Sequence, residues 1–393
     1  MDYFTRLKTR YTSELEGNII PFWTAHGIDR QCGGFFSYLD RDGSVYDTRK
    51  PLWMQWRAVY MFAELYNHPS FRKEEYLEAA VKGFDFLVKN GKTAGGSYGF
   101  MLDRQGRMIS EKESGREVFS DSFACLACAE LYAATGDSRC EEESMQALRM
   151  YLKNTAKKAN AEWYPLAWPM IRLNMLDITE KAFGDKIGEE AFRDCIEEIF
   201  TFLHPEKKVF LENQRPDGSF DLESQTGRFC KPGHALEGMS FILEVLRRRK
   251  ERDPELVKRY LAKTLSCVEQ MFRFGWDKEQ GGILFGRDIL DLPLQETNYG
   301  LLKVWWAQNE TATATLRAYE ASLDEKFLDS FEKVDAYSFL MLKDPEYPEW
   351  YSVAMADGKP AAPFKGDTWK GFFHLPRCLL DCIRICERLE NKQ

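Results

Sequence analysis

The chain has 393 residues, of which 44% are hydrophobic, enough for a full apolar core in one large or two ordinary domains. Its formal net charge of -8, without any long block of basic residues, excludes nucleic acid from the expected partners. The sequence has neither an 18-residue apolar run nor a signal-peptide core, so we expect a cytoplasmic protein with no membrane partner. Its 10 cysteines are scattered through apolar stretches, and we expect them to be reduced thiols of the core.

Along the chain, amphipathic helical patterns alternate with short segments rich in glycine and aromatic residues. Stretches such as 74–90 and 255–274 repeat apolar residues at helical spacing. The turns "LDRDG" and "LDRQG" predict β-hairpins between helices. The glycine segments recur at about sixty residues or twice that spacing, at Gly33, Gly95, Gly218 and Gly281. This period predicts a repeated unit of two helices.

A second series, in phase with the first, marks six helix starts. In chain order, these segments end at or near Arg57, Asp121, Asn174, Glu237, Glu310 and Arg377. Prolines suit the first turn of a helix, and four of them fall there: Pro51, Pro169, Pro232 and Pro376. Six helix pairs fill the chain, so we predict an all-α fold, an (α/α)6 barrel with short β-hairpins in the connecting loops. We expect one catalytic domain over residues 1–393, with an open helical solenoid as the structural alternative.

Closing the ring has a chemical consequence. The inner helices would run parallel, so that all six starts lie at one end of the barrel and direct their N-terminal dipoles into one cleft. The polar residues predicted at this end are Arg57, Asn174, His234, Glu237, Glu310, His374 and Arg377. The tryptophans predicted beside them are Trp53, Trp56, Trp305, Trp306 and Trp369. Aromatic rings beside carboxylates and arginines suit a sugar ligand.

The histidines indicate which chemistry the cleft performs. Three of the five lie in turn-like segments: His26, His68 and His204. His234 and His374 instead lie at helix starts, where the helix dipole disfavours imidazolium and keeps the ring able to accept a proton. A base of this kind suits removal of a proton from a carbon beside a carbonyl group. Glu237 shares a helix face with His234 and is expected to orient it or to touch the substrate.

Three other uses of the same residues are open. Glu237 and Glu310 fit a glycoside hydrolase, which needs two carboxylates flanking the scissile bond. A sugar-binding protein without catalysis is a further alternative. His234, Glu237, Glu310 and His374 also resemble a metal-ligand set. Because no HExxH motif or third histidine accompanies them, we expect no metal.

Segments spread over the chain resemble the N-acylglucosamine 2-epimerase family, which is related to the cellobiose 2-epimerases and aldose–ketose isomerases of the same fold. The matching segments are 33–67, 169–174, 232–238, 303–310 and 365–379. The resemblance implies that His234 and His374 are the acid/base pair and that Arg57 lies at the carbonyl end of the sugar. It also implies that Glu237 and Glu310 line the site. Asn174 stands where cellobiose 2-epimerases and the isomerases carry histidine, as in the N-acylglucosamine branch.

The resemblance implies interconversion of N-acetylglucosamine and N-acetylmannosamine, through loss and return of the C2 proton of the ring-opened sugar. The residues expected to bind the substrate are Trp306, Trp369, Trp53, Asn174 and Arg377. Asp367 and Arg172 depart from the family pattern and favour the alternative of an unmodified aldose, such as mannose, that is epimerised or isomerised. We expect the chemistry to require no cofactor. ATP as an allosteric activator follows from the resemblance alone, since the sequence has no P-loop. A homodimer also follows from the resemblance alone.

Overall fold

A computed structural model describes residues 2–157, 161–184, 186–294, 299–355 and 359–391. Within them, twelve helices have 12 residues or more: α1 Tyr3–Glu14, α2 Leu52–Asn67, α3 Glu74–Asn90, α4 Val118–Thr135, α5 Ser138–Asn154, α6 Ala167–Phe183, α7 Glu189–Phe200, α8 Pro232–Arg248, α9 Pro254–Gly275, α10 Trp305–Ser322, α11 Glu325–Met341 and α12 His374–Glu390. The shorter helical segments are Leu15–Ile19, Ile20–Phe22, Trp23–Gly27, Gln225–Arg228 and Tyr299–Leu301. No helix in these ranges has both the length and the apolar composition needed to cross a bilayer.

The even-numbered helices α2 to α12 form the inner layer of a ring, and each begins at one of the six predicted starts. Each of α2, α4, α6, α8 and α10 packs against the next inner helix and against the outer helix that follows it in the chain. Every residue of α2 from Leu52 to Tyr66 is buried, as expected for a helix covered on all sides. The outer helices are amphipathic and bury one face only, as in α3.

The chain closes on itself. The outer partner of α12 is α1, which lies at the other end of the described chain. Thr5 donates a hydrogen bond of 2.8 Å to Glu390, which also pairs with Lys8. On the inner layer, Arg384 of α12 donates to Glu64 of α2 at 2.5 Å. The predicted (α/α)6 barrel is therefore confirmed, and the open solenoid is wrong.

Short strands occupy the loops that lead into the inner helices. Those described are β1 Tyr38–Leu39, β2 Val45–Asp47, β3 Lys50–Pro51, β4 Met101–Leu102, β5 Met108–Ser110, β6 Tyr164–Pro165, β7 Asn213–Gln214, β8 Phe229–Cys230, β9 Arg287–Asp288, β10 Lys303–Val304 and β11 Val353–Ala354. The predicted hairpins are β1–β2 and β4–β5, which pair antiparallel. Gly43 and Gly106 in their turns have φ of 86° and 97°, the left-handed region that favours glycine.

Side-chain amides fix two of these loops to the helices that follow them. Gln55 of α2 accepts from the backbone N–H of Phe35 at 2.7 Å and donates to its carbonyl at 2.8 Å. Gln308 of α10 makes the same pair of bonds with Ile283, at 2.7 and 2.8 Å. Each glutamine lies two residues before a charged residue of the predicted cleft, so the loop and that part of the helix are held in one arrangement.

All ten cysteines are free thiols, as predicted, and nine are buried. Cys32 is the partly exposed one. Cys378, Cys382 and Cys386 lie one helical turn apart on α12 and are buried in the apolar core. Tyr11 of α1 is close enough to Cys378 and Cys382 to interact with both electrostatically.

Candidate active site

Four of the predicted residues meet in one buried cluster, formed by α8, α10 and α12. His374 is the first residue of α12, and its Nδ1 lies 2.7 Å from Oε1 of Glu310 on α10. Arg377, one turn further along α12, donates through Nη2 to the same oxygen at 2.5 Å. The same nitrogen also donates to Oε1 of Glu237 on α8, at 3.0 Å. One guanidinium therefore joins both carboxylates.

Burial leaves His374 neutral. It lowers the pKa of His374 to about 3 and outweighs the opposing effect of the Glu310 carboxylate, while the charges of Arg57 and Arg377 lower this pKa further. Burial alone would raise the pKa of Glu310, but Arg377 and His374 hold it well below its ordinary value. Burial and the neighbouring Glu310 raise the pKa of Glu237. With its Nδ1 proton donated to an ionised carboxylate, His374 keeps a lone pair on Nε2 and is able to act as a base.

The second histidine has a partner that the sequence did not predict. Nδ1 of His234 lies 2.8 Å from Oε1 of Glu212, which also accepts from Nζ of Lys231 at 3.3 Å. The prediction that Glu237 orients His234 is therefore wrong, because Glu237 pairs with Arg377. Burial would raise the pKa of Glu212, but His234 and Lys231 lower it to about 2. Glu212 is thus a buried, ionised acceptor for the Nδ1 proton.

Trp306 links the two histidines. It is the second residue of α10, the inner helix between α8 and α12. Its ring centroid lies 4.9 Å from that of His234 and 6.1 Å from that of His374. The two imidazoles therefore enter the cleft from different inner helices, with an indole between them that offers an apolar face to a ligand.

Arg57 lies in a cage of aromatic rings. Its guanidinium carbon is 4.1 Å from the ring centroid of Phe123, 4.9 Å from Phe373 and 5.0 Å from Trp53. The side chain is 7% exposed, and its hydrogen bond is a weak one to the sulfur of Met54 at 3.8 Å. Burial lowers its pKa to about 9. Among the described residues no carboxylate pairs with it and its Nε has no acceptor, so this cation is available for an anionic oxygen of a ligand.

The remaining tryptophans divide between the rim of the cleft and the core. Trp369 is 47% exposed, and its ring meets that of Trp53 edge-on at 5.2 Å. Trp56 is fully buried and packs on Tyr98 at 4.9 Å, so its predicted place in the cleft is wrong. Trp305 is also a core residue, with one edge towards His374 at 6.1 Å.

Asn174 borders a cavity whose described lining includes neither His234 nor His374. The cavity has a volume of about 660 Å³ and extends to the C-terminal ends of the inner helices, and its lining includes Asp177, Tyr60 and Arg377. Arg377 borders both this cavity and the cluster around Glu310. Ring contacts, with Phe373 between Arg57 and His374, link Trp369, Trp53, Arg57, Trp306 and the two histidines. Asn174 shares its cavity with Arg377.

The carboxylates do not form an open metal site. One potential metal-ligand atom from each of three residues lies within 4.8 Å of the other two: Glu237, Glu310 and His374. The guanidinium of Arg377 already bonds both carboxylates and supplies the positive charge that they require. The donor set therefore fits an ion pair better than a cation, and the expectation that no metal is needed stays a prediction.

The sequence matches a known protein family over most of its length. The profile of the N-acylglucosamine 2-epimerase (GlcNAc 2-epimerase) family matches residues 34–378. N-acylglucosamine 2-epimerase of Rattus norvegicus is 34% identical over 394 residues, covering 96% of this chain and 91% of the relative. The Homo sapiens N-acylglucosamine 2-epimerase is 33% identical, covering 98% and 91%. The chain is therefore a sugar 2-epimerase, an enzyme of the isomerase class. It belongs to the N-acylglucosamine 2-epimerase family.

The fold comparison agrees. The structure of cellobiose 2-epimerase from Bacillus thermoamylovorans B4167 superposes with a TM-score of 0.82 at 19% identity. The match covers 97% of this chain and 99% of that one. At this level of identity the likeness supports the (α/α)6 barrel and nothing finer.

Proposed function

We propose that this enzyme interconverts N-acetylglucosamine and N-acetylmannosamine with two histidine bases. The observation that carries the proposal is the pair of imidazoles beside Trp306, each with a buried carboxylate on Nδ1. Epimerisation inverts C2, so a proton leaves one face of the carbon and another returns to the opposite face. Two bases on different helices accomplish this without either having to move around the substrate.

In the proposed mechanism the sugar opens to its aldehyde form inside the cleft. One histidine, neutral at the start, removes the C2 proton through Nε2 and becomes an imidazolium. The other enters as an imidazolium and then donates its Nε2 proton to the opposite face of C2, which returns it to the neutral form. The C2–H bond electrons pass into an enolate, whose oxygen becomes negatively charged. Arg57 is the proposed stabiliser of that oxygen, since it is a buried cation without a carboxylate partner among the described residues.

The other cluster residues have supporting roles. Glu310 is engaged with His374 and Arg377, so we propose that it holds the Nδ1 proton of His374 rather than a sugar hydroxyl. The raised pKa of Glu237 suits a group that shares a proton with a hydroxyl during ring opening. Trp306 and Trp369 are the proposed stacking surfaces for the sugar. Trp53 supports Trp369 from behind.

The two departures from the family pattern do not argue against an acetamido substrate. Arg172 pairs with Glu198, and its Nε lies 3.3 Å from the sulfur of Cys195, both on the outer helix α7. Asp367 accepts from the backbone N–H groups of Trp369 and Lys370, at 2.6 and 2.7 Å, and so shapes a turn. Both residues have a structural explanation. An unmodified aldose such as mannose is the alternative substrate.

Glycoside hydrolysis is the alternative from another class. It requires a scissile bond between the carboxyl groups of Glu237 and Glu310. The guanidinium of Arg377 already lies between these groups and bonds both of them. This arrangement disfavours the hydrolase.

The test is C2–H exchange in heavy water followed by NMR, with N-acetylmannosamine, N-acetylglucosamine and mannose as separate substrates. We expect exchange and epimerisation of the two acetamido sugars. Exchange in mannose alone would overturn the substrate proposal. Absence of exchange in any sugar, together with release of sugar from a glycoside, would favour the hydrolase.

Two variants test the mechanism. His234→Asn and His374→Asn should each abolish epimerisation, and each should retain C2–H exchange from one epimer only. The retained epimer should differ between the two variants, because each keeps the base for one face. Near wild-type epimerisation by both variants would show that neither histidine is a catalytic base.

We also propose a cytoplasmic homodimer whose chemistry needs no cofactor, with ATP as an allosteric activator. These proposals rest on the family resemblance. Light scattering after gel filtration tests the dimer, and the exchange rate with and without ATP tests activation. Full activity after dialysis against EDTA is the result expected for metal-free chemistry.

A further inference from the structure

The loops that lead into α2 and α10 share one anchoring arrangement. A buried lysine just before the helix pairs with a loop aspartate: Lys50 with Asp29 at 3.1 Å, and Lys303 with Asp277 at 2.6 Å. The other oxygen of each aspartate accepts two backbone N–H groups of the following turn, at 2.9 to 3.1 Å. The aspartate thus closes a turn and holds the lysine.

The loop that leads into α8 departs from this arrangement. An isolated bridge marks equivalent positions in the three loops: Ile28–Phe35, Trp276–Ile283 and Leu203–Phe210. The residue after the first member is Asp29 in the loop before α2, Asp277 in the loop before α10 and His204 in the loop before α8. His204 still closes the turn, because its Nδ1 accepts from the N–H groups of Glu206 and Lys207 at 3.3 Å. Lys231, however, pairs with Glu212 instead.

Glu212 is a carboxylate at a position where the other two loops have none. It lies two residues after the second member of the bridge, where the loops before α2 and α10 carry Ser37 and Phe285. Glu212 is 6% exposed, and its Oε1 contacts both Lys231 and His234. The change in the loop and the new carboxylate thus occur together in the unit that presents His234 to the cleft. The loop before α12, which presents His374, keeps the arrangement, with Lys365 bonded to Asp344 at 2.8 Å.

We propose that Glu212, held by Lys231, is the positioning residue of His234. It accepts the Nδ1 proton, so that Nε2 of His234 is directed into the cleft, and its charge stabilises the imidazolium that forms during the reaction. His374 has a matching arrangement of imidazole, carboxylate and cation in Glu310 and Arg377. The role of Nε2 of His234 in the reaction rests on the proposed function. The tautomer that Glu212 fixes is independent of that function.

The test compares Glu212→Gln with Asp277→Asn, which removes the corresponding lysine partner from the loop before α10. In Glu212→Gln we expect kcat to fall by about 10²- to 10⁴-fold, as when a carboxylate that orients a catalytic imidazole becomes an amide. The KM should change far less than kcat. The variant should lose C2–H exchange from the same epimer as His234→Asn and retain it from the other. Asp277→Asn should lower stability without selecting an epimer.

A second readout does not depend on turnover. The chain has five histidines, so long-range ¹H–¹⁵N NMR spectra are able to resolve each ring. We expect His234 to carry its proton on Nδ1 in the wild type and to populate the Nε2–H tautomer in Glu212→Gln. Lys231→Met, which keeps the carboxylate, should preserve the tautomer and reduce kcat by a smaller factor.

Equal loss of exchange from both epimers in Glu212→Gln, or an unchanged His234 tautomer, would overturn the proposal. If Glu212→Gln fails to fold, the tautomer of the wild type and the epimer pattern of Lys231→Met decide in its place. A wild type that exchanges no sugar would refute the proposed function, while the tautomer measurement would still decide the role of Glu212.

Discussion

At the scale of single residues, Arg57 combines a proposed role in catalysis with an expected cost in stability. Its charge is buried among Phe123, Phe373 and Trp53, with no carboxylate partner among the described residues. Replacing it with methionine should reduce kcat/KM by about 10²- to 10³-fold, because the enolate oxygen loses its stabilising donor. The same change should raise the free energy of unfolding by about 1 kcal/mol or more, because an unpaired charge is removed from an apolar site. Steady-state kinetics and urea denaturation measure the two effects.

The matched control is Arg57→Lys. It keeps a positive charge but lacks the planar fork of the guanidinium and its stacking on aromatic rings. We expect partial activity at most, with stability no higher than that of the wild type. If Arg57→Met loses stability as well as activity, the guanidinium supports the aromatic rings rather than a reacting oxygen.

His68, which the sequence placed in a turn, caps that turn from a buried position. It is 5% exposed, and its Nδ1 accepts from the N–H of Ser70 at 3.3 Å. Burial, with the charge of Arg384, lowers its pKa to about 4 from 6.5. The imidazole therefore binds a proton more readily in the unfolded chain than in the folded one. The stability that the neutral, buried ring contributes is present above about pH 6.5 and is lost as the pH falls towards 4.

This linkage predicts a difference between wild type and His68→Asn, in which the amide oxygen keeps the bond to Ser70. Between pH 7 and pH 4 the wild type should lose about 1–3 kcal/mol more free energy of unfolding than the variant. Urea denaturation at several pH values measures it. Parallel curves for the two proteins would contradict the prediction.

The sequence predicted the site residues that lie on helices better than those in loops. His234, Glu310 and Arg377 stand at fixed places after six similar starts, so the repeat alone brought them to one end of the barrel. Glu212 lies beside a polar turn, "NQRPDG", where a glutamate usually faces solvent. It is buried through contacts with distant segments: its N–H donates to the carbonyl of Phe229, and its carbonyl accepts from the N–H of Leu166. No local pattern encodes such contacts.

At the scale of elements, local sequence signals predicted the helix starts and two hairpins, but not the pairing of distant segments. Prolines and apolar spacing located the starts of the inner helices, and glycine turns located two hairpins. The turn "RPDG" is present, with Gly218 donating to the carbonyl of Arg215, but β7 before it pairs with β6 rather than across the turn. The role of α1 as the outer partner of α12 depends on ring closure, which brings together segments more than 300 residues apart.

The glutamine anchors give the prediction at this scale. Gln308→Leu would leave both the N–H and the carbonyl of the buried Ile283 without partners. An unsatisfied buried polar group costs about 1–3 kcal/mol, so the free energy of unfolding should fall by at least that amount. Urea denaturation gives the value, with Gln105→Leu as the control, because Gln105 is exposed on a loop. Equal stability of the two variants would show that the bidentate contact contributes nothing.

At the scale of the whole molecule, closure between α1 and α12 should govern access to the thiols. In the native protein we expect a thiol reagent to label Cys32 quickly and the nine buried cysteines slowly. Tyr11 is 2% exposed and donates to Asp335 at 2.5 Å, which fixes α1 against its neighbours. Tyr11→Ala should speed labelling of Cys378, Cys382 and Cys386 by at least about tenfold, because local opening of α1 becomes less costly.

Mass spectrometry of labelled peptides measures the rate at each site. Tyr347→Ala, at a 39% exposed position, is the matched control and should leave all the rates unchanged. Equal acceleration at all nine buried thiols in Tyr11→Ala would mean that the protein opens globally. In that case α1 and α12 would not separate as a local unit.

The pairing of the first helix with the last also bears on how the protein is made. During translation α1 emerges before all the inner helices and waits for α12, which follows the other inner helices in the chain. Until then the inner helices have no complete ring, and α1 keeps an unmatched apolar face. His374 and Arg377 arrive on α12 itself, so until then the nascent chain has only one of the two histidines proposed as bases. Synthesis that stops short of α12 would therefore yield a polypeptide that lacks both the closing helix of the ring and the second proposed base.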